Sequence, residues 1–381
     1  MQARAIPYLI ALAIYASSRL VIVLAINFAT IYLQLKNDRQ WFAGDYWLHH
    51  LLRWDSNWYA QIAGNGYQYN ANPNDFQTVV FYPLYPLVAR LVAVIPGLGI
   101  GDALLIVANA SAVVAILLLF KLVRETHGDR VAWLAVGCLS FFPGSLFLSA
   151  GYTEASALAL ILACFLALRR ERYLLAAVFA GLALATRSTG LVLLPVLLWE
   201  VWRTFGSEPR RLLAYGLASL VIAASGLAAY MVYLWRAFGN PLAFAQAQAA
   251  FHGGTSQGAR LFNSLTLEPF TRLRLLDFSP AGLDHWFFLL FILLILLGWR
   301  RLPLSMTLFA AGVIGLPYLT LAGGPNGFTS TARFGLLAFP AFIVLADLMR
   351  PRPWMIAPVI GLFGAMLFMY AALFAQWHWV G

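Results

Sequence analysis

Long apolar runs without a single charge constrain the fold of this chain more than any other feature. Residues 103–120, 156–168 and 287–298 are three such runs, and most recur near the roughly 20 residues that cross a bilayer as a helix. Because unpaired backbone amides are too costly in hydrocarbon, a membrane-crossing chain forms helices or a closed barrel. These runs are unbroken and do not alternate, which excludes a barrel and predicts an all-α integral membrane protein. Cys138 and Cys164 both lie in apolar runs, and we expect no disulfide.

Basic residues punctuate the apolar runs and set the orientation of the predicted helices. The positive-inside rule places such clusters in the cytoplasm, and with Arg4 they predict a cytoplasmic N-terminus. The net charge of +10 would suggest nucleic acid in a soluble protein, but here it reflects this distribution, and we expect no nucleic-acid partner. The clusters are Lys121/Arg124/Arg130, Arg169/Arg170/Arg172, Arg203/Arg210/Arg211, Arg300/Arg301 and Arg350/Arg352.

The basic clusters predict about eleven transmembrane helices and a C-terminus on the outer side. The segment between the first two spans cannot cross, so its short apolar piece, residues 81–95, is interpreted as interfacial or re-entrant. Two long loops, 31–100 and 236–283, fall on the outer face of what we interpret as one transmembrane domain, 1–381. The predicted spans are 6–30, 101–120, 131–149, 153–168, 173–187, 190–202, 212–235, 284–299, 303–321, 333–348 and 354–376.

The first outer loop carries one carboxylate among aromatic and basic residues, within the segment 53–67. Asp55 directly follows Arg53 and Trp54, and a carboxylate in a partly desolvated site can act as a general base on a hydroxyl. The alternative is a structural role, in which Asp55 caps a helix or pairs with Arg53. Composition alone favours the structural role.

Further ionisable residues occur at the outer ends of other predicted spans. Glu154 opens the fourth span, and Arg187 lies between two short spans. Arg333 opens the tenth span, while Arg19 lies deeper in the first. Such groups are costly in a membrane and commonly functional, although an arginine that reaches up to the headgroups is the alternative. The topology brings the three outer groups to the same face as Asp55. This set fits a substrate with a phosphate at headgroup depth and a hydroxyl acceptor in water, such as a lipid-phosphate-linked sugar.

These motifs resemble the family of the second mannosyltransferase of GPI-anchor assembly, within the GT-C superfamily of polyprenyl-phosphate-sugar-dependent glycosyltransferases. The match covers the first 250 residues well and thins beyond them. Two positions depart from the family pattern, since Trp58 stands where eukaryotic members tend to have His and Thr189 replaces an Asn. The compact outer loops resemble prokaryotic relatives and favour a prokaryotic plasma membrane over the endoplasmic reticulum. The matching residues are 53–55, 62–67, 81–86 with Arg90, 152–154, 187–190, Gly239, Pro241, Phe244, Gln248, Arg333 and Pro340.

The resemblance implies a GT-C-like helical bundle, with interfacial helices in the first outer loop, that transfers a sugar with inversion. The sugar, mannose in this family, would pass from a polyprenyl-phosphate donor to a hydroxyl acceptor on the outer side of the bilayer. Asp55 would take the acceptor proton, and Glu154 would orient Asp55 or the acceptor. Arg187 and Arg333 would stabilise the departing phosphate. Supporting or substrate-binding roles are expected for Arg53, Trp54, Tyr67, Tyr152 and Gln248.

The sequence predicts no cofactor, and two functions remain as alternatives to glycosyl transfer. A divalent metal is an alternative that the few and dispersed acidic residues do not support. The rival function is a transporter or flippase of a lipid or lipid-linked sugar, which would also hold polar groups in a helical bundle. Transporters usually show inverted repeats and a site near the midplane, whereas this sequence shows no repeat and gathers its charges at one boundary. A third alternative is an inactive scaffold with a transferase fold.

Overall fold

The computed structural model of the protein describes residues 2–36, 47–72, 74–251, 255–273, 276–324 and 327–380. Within these ranges the chain forms eighteen α-helices and no β-strand. Residues 37–46, 73, 252–254 and 274–275 of the two predicted outer loops, and the side chain of Arg4, lie outside the described residues. The first nine helices are α1 (Gln2–Tyr32), α2 (Asp55–Asn65), α3 (Leu84–Val92), α4 (Ile100–His127), α5 (Asp129–Phe141), α6 (Glu154–Arg169), α7 (Tyr173–Thr186), α8 (Leu193–Phe205) and α9 (Pro209–Phe238). The other nine are α10 (Ala243–Gln246), α11 (Gln248–Phe251), α12 (Gln257–Leu265), α13 (Glu268–Thr271), α14 (Pro280–Gly298), α15 (Leu304–Pro317), α16 (Thr331–Gly335), α17 (Phe339–Met349) and α18 (Ile356–Ala375).

An α-helix lies at each of the eleven predicted spans, but these helices differ in length. Helices α5, α6, α7, α8 and α17 have 11 to 16 residues. They are shorter than the roughly 20 residues that cross a bilayer. In the described part of the chain, six helices are long and apolar enough to cross a membrane. These six are Ala5–Tyr32, Ile100–His127, Pro209–Phe238, Pro280–Gly298, Leu304–Ala322 and Pro353–Ala375.

Two of the predicted spans are interrupted near prolines. The span 131–149 stops being α-helical at Phe141 and continues as the 3₁₀ turn Pro143–Leu148, because proline fixes φ and cannot donate a backbone hydrogen bond. The span 333–348 is divided into α16 and α17, and Pro340 is the second residue of α17. The two interruptions touch each other, since a Cβ on Gly144 would lie 2.0 Å from the carbonyl oxygen of Ala332. If both spans were uninterrupted helices, these two backbone segments could not approach each other so closely.

Arg19 fixes the interrupted segment that follows α5. Its guanidinium donates to the backbone carbonyls of Ser140 at 2.9 Å and Ser145 at 2.8 Å, and to the hydroxyl of Ser149 at 2.9 Å. By donating to these groups, the arginine replaces hydrogen bonds that the backbone loses where the helix is interrupted. Arg19 therefore has a structural role in this fold.

The first outer loop folds against the helices and does not extend away from them. Helices α2 and α3 pack against each other and against α4, and Tyr85 donates to the carbonyl of Leu104 at 2.8 Å. Elsewhere in the bundle, α7 and α9 cross closely at Gly181 and Gly226, where a Cβ on Gly226 would lie 2.0 Å from the Gly181 carbonyl oxygen. Close approach through small residues is typical of helices packed in membranes. Cys138 and Cys164 are both buried free thiols.

Candidate functional site

Four charged residues, three in separate helices and one directly after a helix, form one ion-pair cluster. Arg333 of α16 donates from Nη1 to Oδ2 of Asp55, the first residue of α2, at 2.6 Å. Through Nε, Arg333 also contacts Glu154, the first residue of α6. Arg187, which follows α7, donates to the same Glu154 oxygen and to the hydroxyl of Thr153 at 3.0 Å. The structure thus brings together the four residues that the sequence topology assigns to one face.

Glu154 is the buried centre of this cluster. Its side chain is completely buried, and both arginines contact its Oε1, while Oε2 has no hydrogen-bond partner among the described residues. Its position at the N-terminus of α6 favours a negative charge there. Because both arginines contact one oxygen of this buried carboxylate, Glu154 can fix the positions of Arg187 and Arg333.

Aromatic rings hold the guanidinium groups from the sides. The guanidinium of Arg333 lies 4.5 Å from the ring centre of Tyr152 and 5.3 Å from that of Phe147. The Tyr152 hydroxyl accepts from the backbone N–H of Asp55 at 3.2 Å and donates to the carbonyl of Arg53 at 3.2 Å. Tyr152 therefore ties the start of α2 to the cluster, and cation–π contact adds to the ion pairs.

The backbone next to two of the charged residues is in the left-handed region. Trp54, which precedes Asp55, has φ 55°, and Ser330, three residues before Arg333, has φ 61°. Neither is glycine, so each position costs on the order of 1–3 kcal/mol and persists because surrounding contacts hold it. One such contact is the carboxylate of Asp284, which accepts from the backbone N–H of Ala332 at 2.8 Å. Such strain is found most often at functional sites.

The cluster opens into a cavity of about 340 Å³, here called the reaction cavity. Asp55 lines it with a side chain that is 20% exposed, together with Arg187 and Arg333. Tyr59, one turn after Asp55 on α2, also lines it. Burial, with a smaller contribution from the charge of Asp55, raises the pKa of Tyr59 to about 12. The phenol therefore stays protonated and can donate a hydrogen bond beside the carboxylate.

Arg260 of α12 also lines the reaction cavity, although it lies in no motif recognised in the sequence. It is 1% exposed, and its Nε and Nη1 atoms are buried without hydrogen-bond partners among the described residues. Three hydrogen bonds fix α12: Ser264 Oγ to the Tyr318 carbonyl at 2.8 Å, Tyr318 OH to the Ser264 carbonyl at 2.8 Å, and Asn263 to the Gly323 carbonyl at 2.9 Å. An unpaired arginine buried in a cavity wall is costly without an anion.

Charge at the reaction cavity is therefore not balanced. The carboxylates of Asp55 and Glu154 compensate the guanidinium groups of Arg187 and Arg333, whereas Arg260 adds one positive charge. A cavity with a surplus buried cation favours an anionic ligand, and a guanidinium suits phosphate. Among the described residues, no three His, Cys, Asp or Glu side chains are grouped so that they could hold a metal ion.

The remaining predicted residues lie around the cavity in different positions. Gln248 lines it. Arg53 turns away, donating to the Ala375 carbonyl at 3.2 Å and lying over the ring of Trp377 at 4.9 Å. Tyr67 supports the cavity wall from behind, because its hydroxyl donates a hydrogen bond of 2.8 Å to the carbonyl oxygen of Phe81, which lines the cavity. Trp54 packs edge-on against Trp377 and Trp379.

Neither structural alternative for these charges is seen. Asp55 pairs with Arg333 and not with Arg53, and no side-chain cap bond is made at the start of α2. Arg187 and Arg333 are 9% and 7% exposed and are paired with carboxylates, so they do not extend towards headgroups.

A protein-family comparison assigns the chain. The family model described as "Mannosyltransferase (PIG-V)" matches residues 39–241, which is more than half of the chain. The chain belongs to this family. The matched region of the PIG-V family contains Asp55, Glu154 and Arg187, whereas Arg260 and Arg333 lie beyond it. With its apolar helices, this membership identifies a multi-pass membrane protein.

Curated relatives of the PIG-V family are similar over part of their length. GPI mannosyltransferase 2 of Drosophila pseudoobscura pseudoobscura is 33% identical over 212 residues, covering 50% of this chain and 45% of that protein. GPI mannosyltransferase 2 of Drosophila melanogaster is 30% identical over 210 residues, with the same two shares. The chain thus spans about half the length of the curated relatives it matches.

A solved structure shows the same fold. ArnT from Cupriavidus metallidurans, solved bound to undecaprenyl phosphate, matches with a TM-score of 0.55 and 15% sequence identity. The match covers 96% of this chain and 76% of ArnT. It confirms the predicted all-α, GT-C-like membrane fold for this member of the PIG-V family.

Proposed function

We propose that the chain is a glycosyltransferase that moves a sugar, mannose by family membership, from a polyprenyl-phosphate donor to a hydroxyl acceptor. The observation that carries the proposal is one cavity whose wall contains both a carboxylate, Asp55, and a buried arginine without a hydrogen-bond partner for Nε and Nη1 among the described residues, Arg260. A base and an uncompensated cation in one cavity are the two groups that this transfer requires.

The transfer step proceeds by a single displacement. Arg333 occupies Oδ2 of Asp55, so Oδ1 is the oxygen that takes the proton from the acceptor hydroxyl. As that proton moves, the acceptor oxygen forms a bond to the anomeric carbon of the donor. The bond between the anomeric carbon and the phosphate oxygen breaks, and both of its electrons leave with the polyprenyl phosphate. The anomeric configuration is inverted because attack and departure occur on opposite faces of the sugar.

Arginines stabilise the charge on the leaving phosphate. Arg187 and Arg333 are held by Glu154 in a fixed arrangement, so they need not reorganise during the reaction. Arg260 contributes the positive charge that no carboxylate in the described cavity wall compensates. Glu154 acts as a positioning residue in this scheme, through the two arginines that it contacts.

The known relatives support this function over transport. The named relatives are mannosyltransferases, and ArnT was solved with a polyprenyl phosphate. A lipid-linked donor in the bilayer would reach the cavity from the membrane, and the acceptor would come from the non-cytoplasmic side. We place this reaction at a prokaryotic plasma membrane, with a cytoplasmic N-terminus and an outer C-terminus.

The decisive experiment follows the release of free polyprenyl phosphate. Purified protein in nanodiscs is given mannosyl-phosphoryl polyprenol with and without a fraction of membrane glycans and lipids that supplies hydroxyl acceptors. We expect polyprenyl phosphate and a labelled acceptor to appear together, and only when both substrates are present. Movement of intact donor across a sealed bilayer, without release of the phosphate, would instead establish the transporter alternative.

A further inference from the structure

A second cavity, of about 740 Å³, opens on a different face of α2 and is here called the amide cavity. Asn57, Trp58, Gln61 and Asn65 of α2 line it, at the spacing of one helical face. Asp55 and Tyr59 point from another face of the same helix into the reaction cavity. One short helix thus presents two chemically different surfaces to two cavities.

The two cavities are neighbours and share an aromatic wall. Trp58 lines the amide cavity, and its ring lies 5.9 Å from those of Phe81 and Phe251, which line the reaction cavity. Phe76, also in the amide cavity, is 4.9 Å from Phe251. Asn57 and Trp58 follow Asp55 by two and three residues, so the amide cavity begins within one helical turn of the proposed base.

The lining of the amide cavity combines amide-bearing and apolar side chains and is uncharged. None of the described residues that line it carries a charge, in contrast to the arginines of the reaction cavity. Asn57 is 8% exposed, and its Oδ1 is buried without a hydrogen-bond partner among the described residues. An orphan acceptor of this kind is costly unless a ligand donates to it.

We propose that the amide cavity binds a neutral saccharide, which is the acceptor that presents its hydroxyl to Asp55. This inference rests on the proposed glycosyl transfer. Side-chain amides both donate and accept, and so match hydroxyls that do the same. The faces of Trp58 and Tyr69 suit the apolar C–H face of a sugar ring. A phosphate or a charged headgroup would find no cation there.

The test measures saccharide binding separately from transfer. Saturation-transfer NMR is recorded on the full protein in nanodiscs, with methyl glycosides of mannose, glucose and galactose as probes and a serine-containing neutral peptide for comparison. Gln61→Leu keeps the size of the side chain and removes its amide, and Trp58→Leu removes the ring while Trp58→Phe retains one. Gln34→Leu, at an exposed position two residues after the end of α1 and outside the cavity, is the matched control.

We expect a methyl glycoside to bind the wild-type protein, the Gln34 variant and Asp55→Asn alike. Binding should weaken by roughly three- to tenfold in Gln61→Leu, the range expected for one neutral hydrogen bond. Trp58→Leu should weaken it, and Trp58→Phe should restore part of it. Equal glycoside binding in all variants, or binding of the peptide alone, would overturn the proposal.

The same variants separate this proposal from the proposed function. If glycosides bind and Gln61→Leu weakens that binding, but no polyprenyl phosphate is released, the saccharide site stands and the transferase function falls. If transfer proceeds with an unchanged acceptor KM in Gln61→Leu, the function stands and the saccharide site falls.

Discussion

Asp55 and Asp129 are alike in local structure but face different surroundings. Each is the first residue of a helix, and each accepts from an arginine at 2.6 Å. Asp129 lies with Arg124 at the turn between α4 and α5, where both side chains are about one-third exposed. Asp55 faces the reaction cavity. Comparing substitutions of these two aspartates therefore separates the effect of removing a charge from the effect of removing a base.

Asp55→Asn should abolish transfer while leaving the protein folded and able to bind the donor. The substitution is nearly isosteric but removes the proton-accepting group, and loss of a general base typically slows the chemical step by roughly 10²- to 10⁴-fold. The measurement is release of polyprenyl phosphate, beside thermal stability and donor binding. Asp129→Asn is the control and should retain near-wild-type turnover. Near-normal turnover in Asp55→Asn would remove this residue as the base.

Arg333→Lys should lower both stability and donor affinity. The guanidinium contacts Asp55 and Glu154 through different nitrogens, and a single ammonium group cannot reproduce that fork. We expect a lower melting temperature and donor binding weakened by at least about tenfold. Arg211→Lys, at an exposed ion pair with Glu208, should change neither. Unchanged donor binding in Arg333→Lys would exclude a bidentate role for this side chain.

Arg260→Gln should weaken donor binding with little loss of stability. In the protein without donor this arginine is buried and unpaired in the described structure, so removing its charge costs little folding free energy. A charge-assisted hydrogen bond to phosphate contributes about 1.5–3 kcal/mol, so the dissociation constant should rise roughly 10- to 150-fold. Arg272→Gln, in the same outer loop but paired with Glu268, is the control. A strongly destabilised Arg260→Gln protein would show that the side chain is structural.

At the level of secondary structure, the placement of α16 decides where Arg333 points. The helix has five residues and follows a strained Ser330, so it has little intrinsic stability. Asp284 of α14 holds its first turn through the Ala332 N–H, and Gly144 leaves room for its backbone. The orientation of the cluster therefore depends on contacts between elements and not on α16 alone.

Asp284→Ala should displace α16 and reduce donor binding although Asp284 does not line the reaction cavity. Loss of a buried acceptor leaves the α16 N–H group unsatisfied, at a cost of about 1–3 kcal/mol. Thermal unfolding and donor affinity are measured together. Ser279→Ala, which removes the cap of α14 at its exposed start, should cost about 1 kcal/mol without affecting donor affinity. Equal donor affinity in both variants would show that Asp284 does not position Arg333.

The sequence predicted where the helices lie better than where they end. Uncharged runs and basic clusters located a helix at each of the eleven predicted spans, because hydrophobicity and charge act locally. They did not predict the 3₁₀ turn after Phe141 or the division at α16 and α17. Those interruptions depend on Arg19 and Asp284 supplying hydrogen-bond partners from distant parts of the chain. Apolar composition carries no signal for such partners.

Across the whole molecule, the topology was enough to bring the charges together but not to assign their partners. It placed Asp55, Glu154, Arg187 and Arg333 on one face. The sharing of one Glu154 oxygen by two arginines is a tertiary feature without a local signal. Arg260 was missed because it lies in the second outer loop, beyond the clearest motif match. A basic residue in such a loop is ordinarily solvated, so its sequence position does not indicate burial.

Sidedness is tested by cysteine accessibility in intact cells. Cysteines replacing Asn72 and Gln257 should react with an impermeant thiol reagent, whereas Ser207→Cys should not. The expectation rests on the uneven distribution of basic residues, since Ser207 lies between Arg203 and Arg210. All three positions are exposed, and native Cys138 and Cys164 are buried, so the background should be low. Labelling of Ser207→Cys with protection of Asn72→Cys would invert the orientation and move the site to the cytoplasmic face.

The shared buried oxygen of Glu154 has a consequence for how this site can change in evolution. Loss of one ion-pair member leaves a partner charged and buried, which commonly costs more than the pair contributes. Substitutions at Asp55, Glu154, Arg187 and Arg333 are therefore not independent, although as many as 278 positions separate two of them. Viable sequences should keep the cluster whole or replace several members at once. We therefore expect these distant positions to covary, because two arginines share one carboxylate oxygen of Glu154.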